Sequence, residues 1–261
     1  MIAHTVLMPY SRPKNFNTLR EHMEGQGVTW VPLYDSDECH ALFAAKNEFG
    51  LPAPLAGPLP DWIKPWRGDL PKEKIQEHPG GPVTYRPTVN PGHWMCDAYL
   101  DEQVKHDETY EGFSGPGCEK FFRKDHYVSF MTDDMLWNWN YWRKLQRHFV
   151  KRNKGGGEVH PAVIMCSTTT PNGGFVAPGY NRDWPQNASR TFATRFECMT
   201  VRADKLRDVR FGSFWAGDGI VVERLVEENW EQGEVEFAPE CVVYWNGLSP
   251  EAYGFPATHQ R

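Results

Sequence analysis

HTVLMPYSRPKNFNTLREHMEGQGVTWVPL, residues 4–33, is the stretch on which the fold turns. Its opening run, His4 to Met8, is short and apolar, as a buried strand requires. Pro9 and Pro13 bracket Tyr10-Ser11-Arg12 and end the ladder, because each proline lacks a backbone donor. Phe16, Leu19 and Met23 follow at helical spacing, and Gly25 and Gly27 close the helix. Val28 to Leu33 reads as a second strand. Strand, helix and strand in so short a span form a βαβ unit, which implies a parallel pair and an α/β fold.

Outward from this unit the punctuation continues. Asp35-Ser36-Asp37-Glu38 is an acidic turn after the second strand. Residues 51–92 are rich in Pro and Gly and contain Trp62 and Trp66; they read as a long loop insertion with apolar anchors, a kind of segment often used for function. A helix is expected from about Pro91, proline being favoured at the first helical position, and it carries Trp94, Tyr99 and Val104. Tyr127 to Met131 reads as a strand running into Thr132-Asp133-Asp134. An aromatic-rich helix is expected over 135–150, and strands over 161–167 and 192–201. Gly217-Asp218-Gly219 precedes a helix in which Val222, Leu225, Val226, Asn229 and Trp230 recur at helical spacing. The last strand falls near Val235 to Trp245.

The 261 residues suit one large α/β domain or two small ones, and 40% hydrophobic residues can fill a sizeable core. The net charge is −6, so no face-wide grip on nucleic acid is implied, although a single groove can still be basic. The nearest basic clusters, Arg143-Lys144 with Arg147 and Lys151-Arg152 with Lys154, read first as a solvated helix end, the alternative being a local phosphate contact. Six cysteines are scattered without a C-x-x-C pair or zinc spacing, as expected of reduced, mostly buried thiols. No apolar run is long enough to span a membrane, and no signal-peptide pattern opens the chain, so a cytoplasmic location is expected.

Three places could carry chemistry. Asp133 and Asp134 follow a buried strand, and ligands of open α/β sheets collect outside the carboxyl ends of strands. Carboxylates there can hold Mg²⁺ or Mn²⁺ with phosphate oxygens completing the shell; the alternative is an N-cap for a following helix. In the first turn, Tyr10 could stack on a base and Arg12 could pair with a phosphate, while Asp35 could accept a hydrogen bond from base or ribose. Turn chemistry explains the same residue types. Asp218, ahead of a helix, could be a cap, a general base, or both. Of the tryptophans, Trp62, Trp66, Trp137 and Trp139 lie in or beside these segments.

The order of these parts resembles the GT-A glycosyltransferases, especially the family 2-like group. The resemblance rests on Met8-Pro9-Tyr10-Ser11-Arg12-Pro13 after the first strand and Val31-Pro32-Leu33-Tyr34-Asp35 at the end of the second. It continues with Tyr127 to Asp134, then Val201-Arg202-Ala203-Asp204-Lys205-Leu206 and Phe211 to Gly219. It implies a single GT-A-like domain over 1–261, with a mixed, mainly parallel central sheet flanked by helices. Residues 1–134 would be the nucleotide-binding half, 135–261 the acceptor-side half and 51–92 a loop insertion. It further implies sugar transfer from a nucleotide-sugar donor to an acceptor hydroxyl, with inversion. Pro9, Tyr10, Arg12, Asp35 and Asp133 would bind the donor. Asp134, with Asp133, would hold Mg²⁺ or Mn²⁺, and Asp218 would be the base. Trp62, Trp66 and Trp215 would lie on the acceptor side, the acceptor being a glycan, a small molecule or a modified nucleic acid. Two positions depart from the family pattern. Thr132 stands where the metal motif usually has its first acid, and Gly217 stands where the later motif usually has Glu.

Two rivals remain. A nucleotidyltransferase would need a Gly-rich first loop for a triphosphate, and the turn after Met8 has no glycine. A non-catalytic nucleotide- or carbohydrate-binding protein on the same fold is the other, favoured by Thr132 in the acidic motif.

Overall fold

The computed structural model describes residues 2–10, 15–24, 26–34, 72–76, 84–87, 91–113, 115, 118–152, 156–169, 196–212, 217–244 and 248. In chain order these form β1 (Ala3–Tyr10), α1 (Phe16–Glu24), β2 (Thr29–Tyr34), β3 (Lys72–Gln76), β4 (Thr84–Pro87) and α2 (Pro91–Thr109). Then follow β5 (His126–Phe130), β6 (Leu136–Trp137), α3 (Tyr141–Leu145), β7 (Lys151–Arg152), β8 (Glu158–Val159) and β9 (Val163–Thr169). The last are β10 (Met199–Arg202), α4 (Gly217–Trp230) and β11 (Val235–Tyr244).

The βαβ unit forms as its sequence requires. β1 and β2 are parallel in the register Val6 to Trp30, and Gly27, with φ +67°, turns the chain out of α1. A side chain at Gly27 would also crowd the Trp142 indole, at 3.2 Å from Nε1. Seven strands pair in the order β2-β1-β5-β10-β9-β11-β6. β2, β1, β5, β9 and β11 share one direction, and β10 and β6 run against them. The expectation of a mainly parallel sheet is corrected on pairing. Reversed β10 sits between β5 and β9, so its two neighbours are both antiparallel to it, and the sheet is mixed. The ribbons β3–β4 and β7–β8 are antiparallel as well.

Alternation along the strands sends side chains into two cores, one on each face. On one face Leu7, Val31, Leu33, Val128, Phe130, Val163, Met165 and Val201 meet Met95, Cys96 and Leu100 of α2 and Val222, Leu225 and Val226 of α4. On the other, Val6, Met8, Trp30, Tyr127, Ile164, Cys166 and Val243 meet Leu19 and Met23 of α1 and Tyr141 and Leu145 of α3. Helices therefore cover both faces of one α/β sheet.

Inside the sheet a polar seam joins three strands. His4 Nε2 lies 2.8 Å from Ser129 Oγ, which lies 2.6 Å from Thr200 Oγ1. His126 Nδ1 is 2.8 Å from the Phe121 carbonyl, to which it donates, so its Nε2 accepts from Thr5 Oγ1 at 2.8 Å. Burial, and secondarily the His126 charge, pushes His4 down to about 3, so His4 is a neutral ring stacked on Trp142.

Three local expectations are revised. The 51–92 insertion is not loop throughout, since β3 and β4 form a ribbon within it. In place of a helix over 135–150 there are β6, a turn through Asn140 in the left-handed region (φ 59°), the five-residue α3 and a 3-10 turn. Of the strand expected over 192–201 only the end is strand; a 3-10 turn at Phe196–Cys198 precedes β10, and 192–195 lie outside the described residues. The five described cysteines are free, four of them buried. Among the described residues no helix is long and apolar enough to cross a membrane.

Candidate functional site

The sheet has a topological switch point between β1 and β5. From β1 the chain crosses to β2 on one side, whereas β5 pairs on the other. Crevices at such points open outside the carboxyl ends of the strands. Thr132-Asp133-Asp134 occupies this place, directly after β5, where the Met131 amide still donates to the Leu7 carbonyl at 2.9 Å.

The acidic turn is tightly built. Asp133 is 1% exposed and Asp134 6%. The Met135 amide donates to the Thr132 carbonyl at 3.1 Å, closing the turn. Thr132 Oγ1 donates to Asp134 Oδ1 at 2.6 Å, which fixes the orientation of that carboxylate. Asn15, itself buried at the start of α1, donates through Nδ2 to the Asp133 carbonyl at 2.7 Å. The Leu248 amide, beyond β11, donates to the Asp134 carbonyl at 3.0 Å. Segments remote in sequence thus converge on two adjacent acids. No helix follows them, because Met135 leads into β6, so the N-cap alternative for Asp133 and Asp134 falls away.

Asp218 lies at the same edge of the sheet. The start of reversed β10 is beside the end of β5, Thr200 pairing with Ser129, so the Phe196–Cys198 turn is at the carboxyl edge. After β10 the chain crosses to the amino edge, where the Arg202 guanidinium clasps Asp204, Glu234 and the His160 carbonyl. It then returns, since the Phe211 ring packs 5.1 Å from Phe130 and 5.8 Å from Phe196. α4 finally carries it back to the amino edge, where the Glu234 amide bonds the Asn229 carbonyl and Val235 pairs with Val163 at the start of β9. The first turn of α4, with Asp218, therefore sits on the carboxyl side. The Asp218 carboxylate accepts from the Gly219 amide at 2.9 Å, within the helix rather than at its cap.

Asp97 of α2 holds the approach to this helix. It accepts the Phe211 and Gly212 amides at 2.8 and 2.9 Å. Burial pushes it up to about 6, against the pull of those two amides and of Arg210. Beside it the His93 ring, fully buried, stacks on Phe211 at 5.4 Å.

The expected residues divide as follows. Asp133, Asp134 and Asp218 are brought to one edge of the sheet. Pro9 and Tyr10 end β1 at that edge, Pro9 being buried. Arg12, Asp35, Trp62, Trp66 and Trp215 lie outside the described residues. Trp137 is core rather than cleft, 3% exposed and stacked on Tyr141 at 4.3 Å. Sequence reasoning missed Asn15, whose type signals only a helix start, and buried Glu197 in the turn before β10. Among the described residues no three His, Cys, Asp or Glu side chains gather as a metal cage. Two adjacent carboxylates still suit a hard cation that takes its remaining ligands from substrate phosphates and water. No family model, curated protein or solved structure matches the chain.

Proposed function

We propose that this chain is a metal-dependent glycosyltransferase of the GT-A type, moving a sugar from a nucleoside-diphosphate sugar to an acceptor hydroxyl with inversion. The observation that carries the reading is the pair of buried carboxylates at the switch point of an α/β sheet, on the edge that also bears Asp218. Asp134, oriented by Thr132 and assisted by Asp133, would hold Mg²⁺ or Mn²⁺. When bound, such a cation supplies charge neutralisation for a departing diphosphate. Pro9, Tyr10, Arg12 and Asp35 would line the donor side, and Trp62, Trp66 and Trp215 the acceptor side.

Asp218 is the base. Its carboxylate takes the proton of the acceptor hydroxyl as that oxygen bonds to the anomeric carbon and the bond from that carbon to the diphosphate oxygen breaks. Holding both reactants at one edge is most of the task, because orientation alone lowers the barrier substantially. Loading the purified chain with a panel of nucleotide-sugars and Mn²⁺, and following release of the nucleoside diphosphate, tests the reading. Asp134→Ala and Asp218→Ala are expected to fold and each to lose at least about 100-fold in turnover. Full turnover in either variant refutes its role, and release of pyrophosphate from a nucleoside triphosphate would instead mark a nucleotidyltransferase.

A further inference from the structure

Between Asp134 and Glu158 the chain has no Asp or Glu but six cations, Arg143, Lys144, Arg147, Lys151, Arg152 and Lys154, in a protein of net charge −6. The structure sorts them. Lys151 is paired with Glu236 at 2.7 Å, His148 lies between Glu236 and Glu240, and Lys144 Nζ donates to the Glu240 carbonyl at 3.2 Å. Arg152 is in register with Glu158 in the β7–β8 ribbon, and Lys154 lies outside the described residues. Arg143 and Arg147, one helical turn apart, are exposed and have no ion pair among the described residues.

Trp139, four residues before Arg143, is 79% exposed in the turn between β6 and α3. This ring is not on a loose tip. The side chain of Asn138 on one side bonds β11 twice, Nδ2 donating to the Glu240 carbonyl at 2.9 Å and Oδ1 accepting from the Val242 amide at 3.2 Å. Asn140 on the other side is locked in the left-handed region at φ 59° and starts α3, its carbonyl accepting from the Lys144 amide at 3.0 Å. The fold therefore holds a large flat ring in water, in the same short stretch as two guanidiniums without an ion pair among the described residues, at a cost that burial would have avoided.

We infer that the turn bearing Trp139, together with Arg143 and Arg147, is a binding surface for single-stranded nucleic acid. An unstacked base lies on the indole, and the guanidiniums meet the flanking phosphates. A duplex offers no free base face to the ring. An anionic membrane surface fits less well, because interfacial binding needs an apolar helix face, and Tyr141 and Leu145 of α3 are 1% and 0% exposed. The surface lies on different residues from Asp134 and Asp218, so it stands whether or not the transferase reading holds.

The test is fluorescence anisotropy of a labelled oligothymidylate titrated with the full-length chain across a salt series. Binding is expected at low salt, and Trp139→Ala weakens it about tenfold, as loss of one stacked base does. Trp139→Tyr, which keeps a ring, restores most of it. Arg143→Ala and Arg147→Ala each lower the slope of log affinity against log salt by about 0.7. All three side chains are exposed, so unchanged thermal unfolding of the variants is expected and is measured alongside. The proposal is overturned by absence of binding at low salt, by unaltered binding in Trp139→Ala, or by a blunt duplex binding as tightly. Capture by phosphatidylserine vesicles that Trp139→Ala abolishes would assign the surface to a membrane and overturn it equally.

Discussion

Thr132 carries the tightest part of the candidate site. In the GT-A pattern proposed for this chain, that position holds an acid; here a hydroxyl donates to the Asp134 carboxylate at 2.6 Å. A group that orients a ligand carboxylate typically governs metal affinity by about 10- to 100-fold. Thr132→Val, which keeps the shape and removes the donor, is therefore expected to weaken Mn²⁺ binding by about tenfold, with Thr132→Ser restoring it. Mn²⁺ titration in the presence of a nucleotide-sugar reads this, and unchanged affinity in Thr132→Val would remove the assigned role. The two acids were legible in the sequence because a buried strand ran straight into them. Asn15 was not, since its bond to the Asp133 carbonyl spans 118 residues and its type says only that a helix is beginning. Nor could sequence separate Asp218 as a cap from Asp218 as a first-turn residue, since the two differ by only two residues in where the helix starts.

At the scale of elements, the 135–150 segment is the clearest misreading. Trp137, Tyr141, Leu145 and Phe149 recur every fourth residue and all are buried, which is the pattern of one helical face. The spacing survives although the backbone does not follow it. Trp137 pairs in β6, Asn138 binds β11 and Asn140 takes a left-handed turn, so tertiary pairing overrides the local period. The same region holds a titratable clasp. His148, ending this segment, sits 3.3 Å from Glu236 and 2.8 Å from Glu240 of β11, and the Glu236 bond chiefly raises it to about 9. A histidine raised on folding binds its proton more tightly in the native state. Its contribution is therefore complete below its ordinary 6.5 and is lost as pH rises through about 9. Solvent screens the clasp, which leaves on the order of 1 kcal/mol. Urea denaturation of the wild type is expected to show stability falling by about that amount between neutral pH and the upper end of this window relative to His148→Gln, and parallel pH profiles would refute the clasp.

For the whole molecule, the opening βαβ unit predicted a parallel pair and an α/β fold, and the two cores follow from simple alternation along β1, β5 and β9. The reversal of β10 was not legible. A strand buried at every position, as Met199 to Arg202 is, carries no mark of its direction, and only the path of the chain before and after it decides which way it runs. That reversal matters to the site, because it brings the Phe196–Cys198 turn to the carboxyl edge and leaves α4 to return from that edge with Asp218 in its first turn. The central claim is that this edge holds a nucleoside diphosphate through a cation on Asp134. A ligand that binds only the native state raises the melting temperature by mass action. The most direct measurement is therefore thermal unfolding with nucleoside-diphosphate sugars, with and without Mn²⁺, for the wild type and Asp134→Asn. The account predicts that at least one donor raises the wild-type midpoint by about 5 °C only when Mn²⁺ is present, and that Asp134→Asn shows no such rise. A rise of equal size without metal, or one retained in Asp134→Asn, would contradict it.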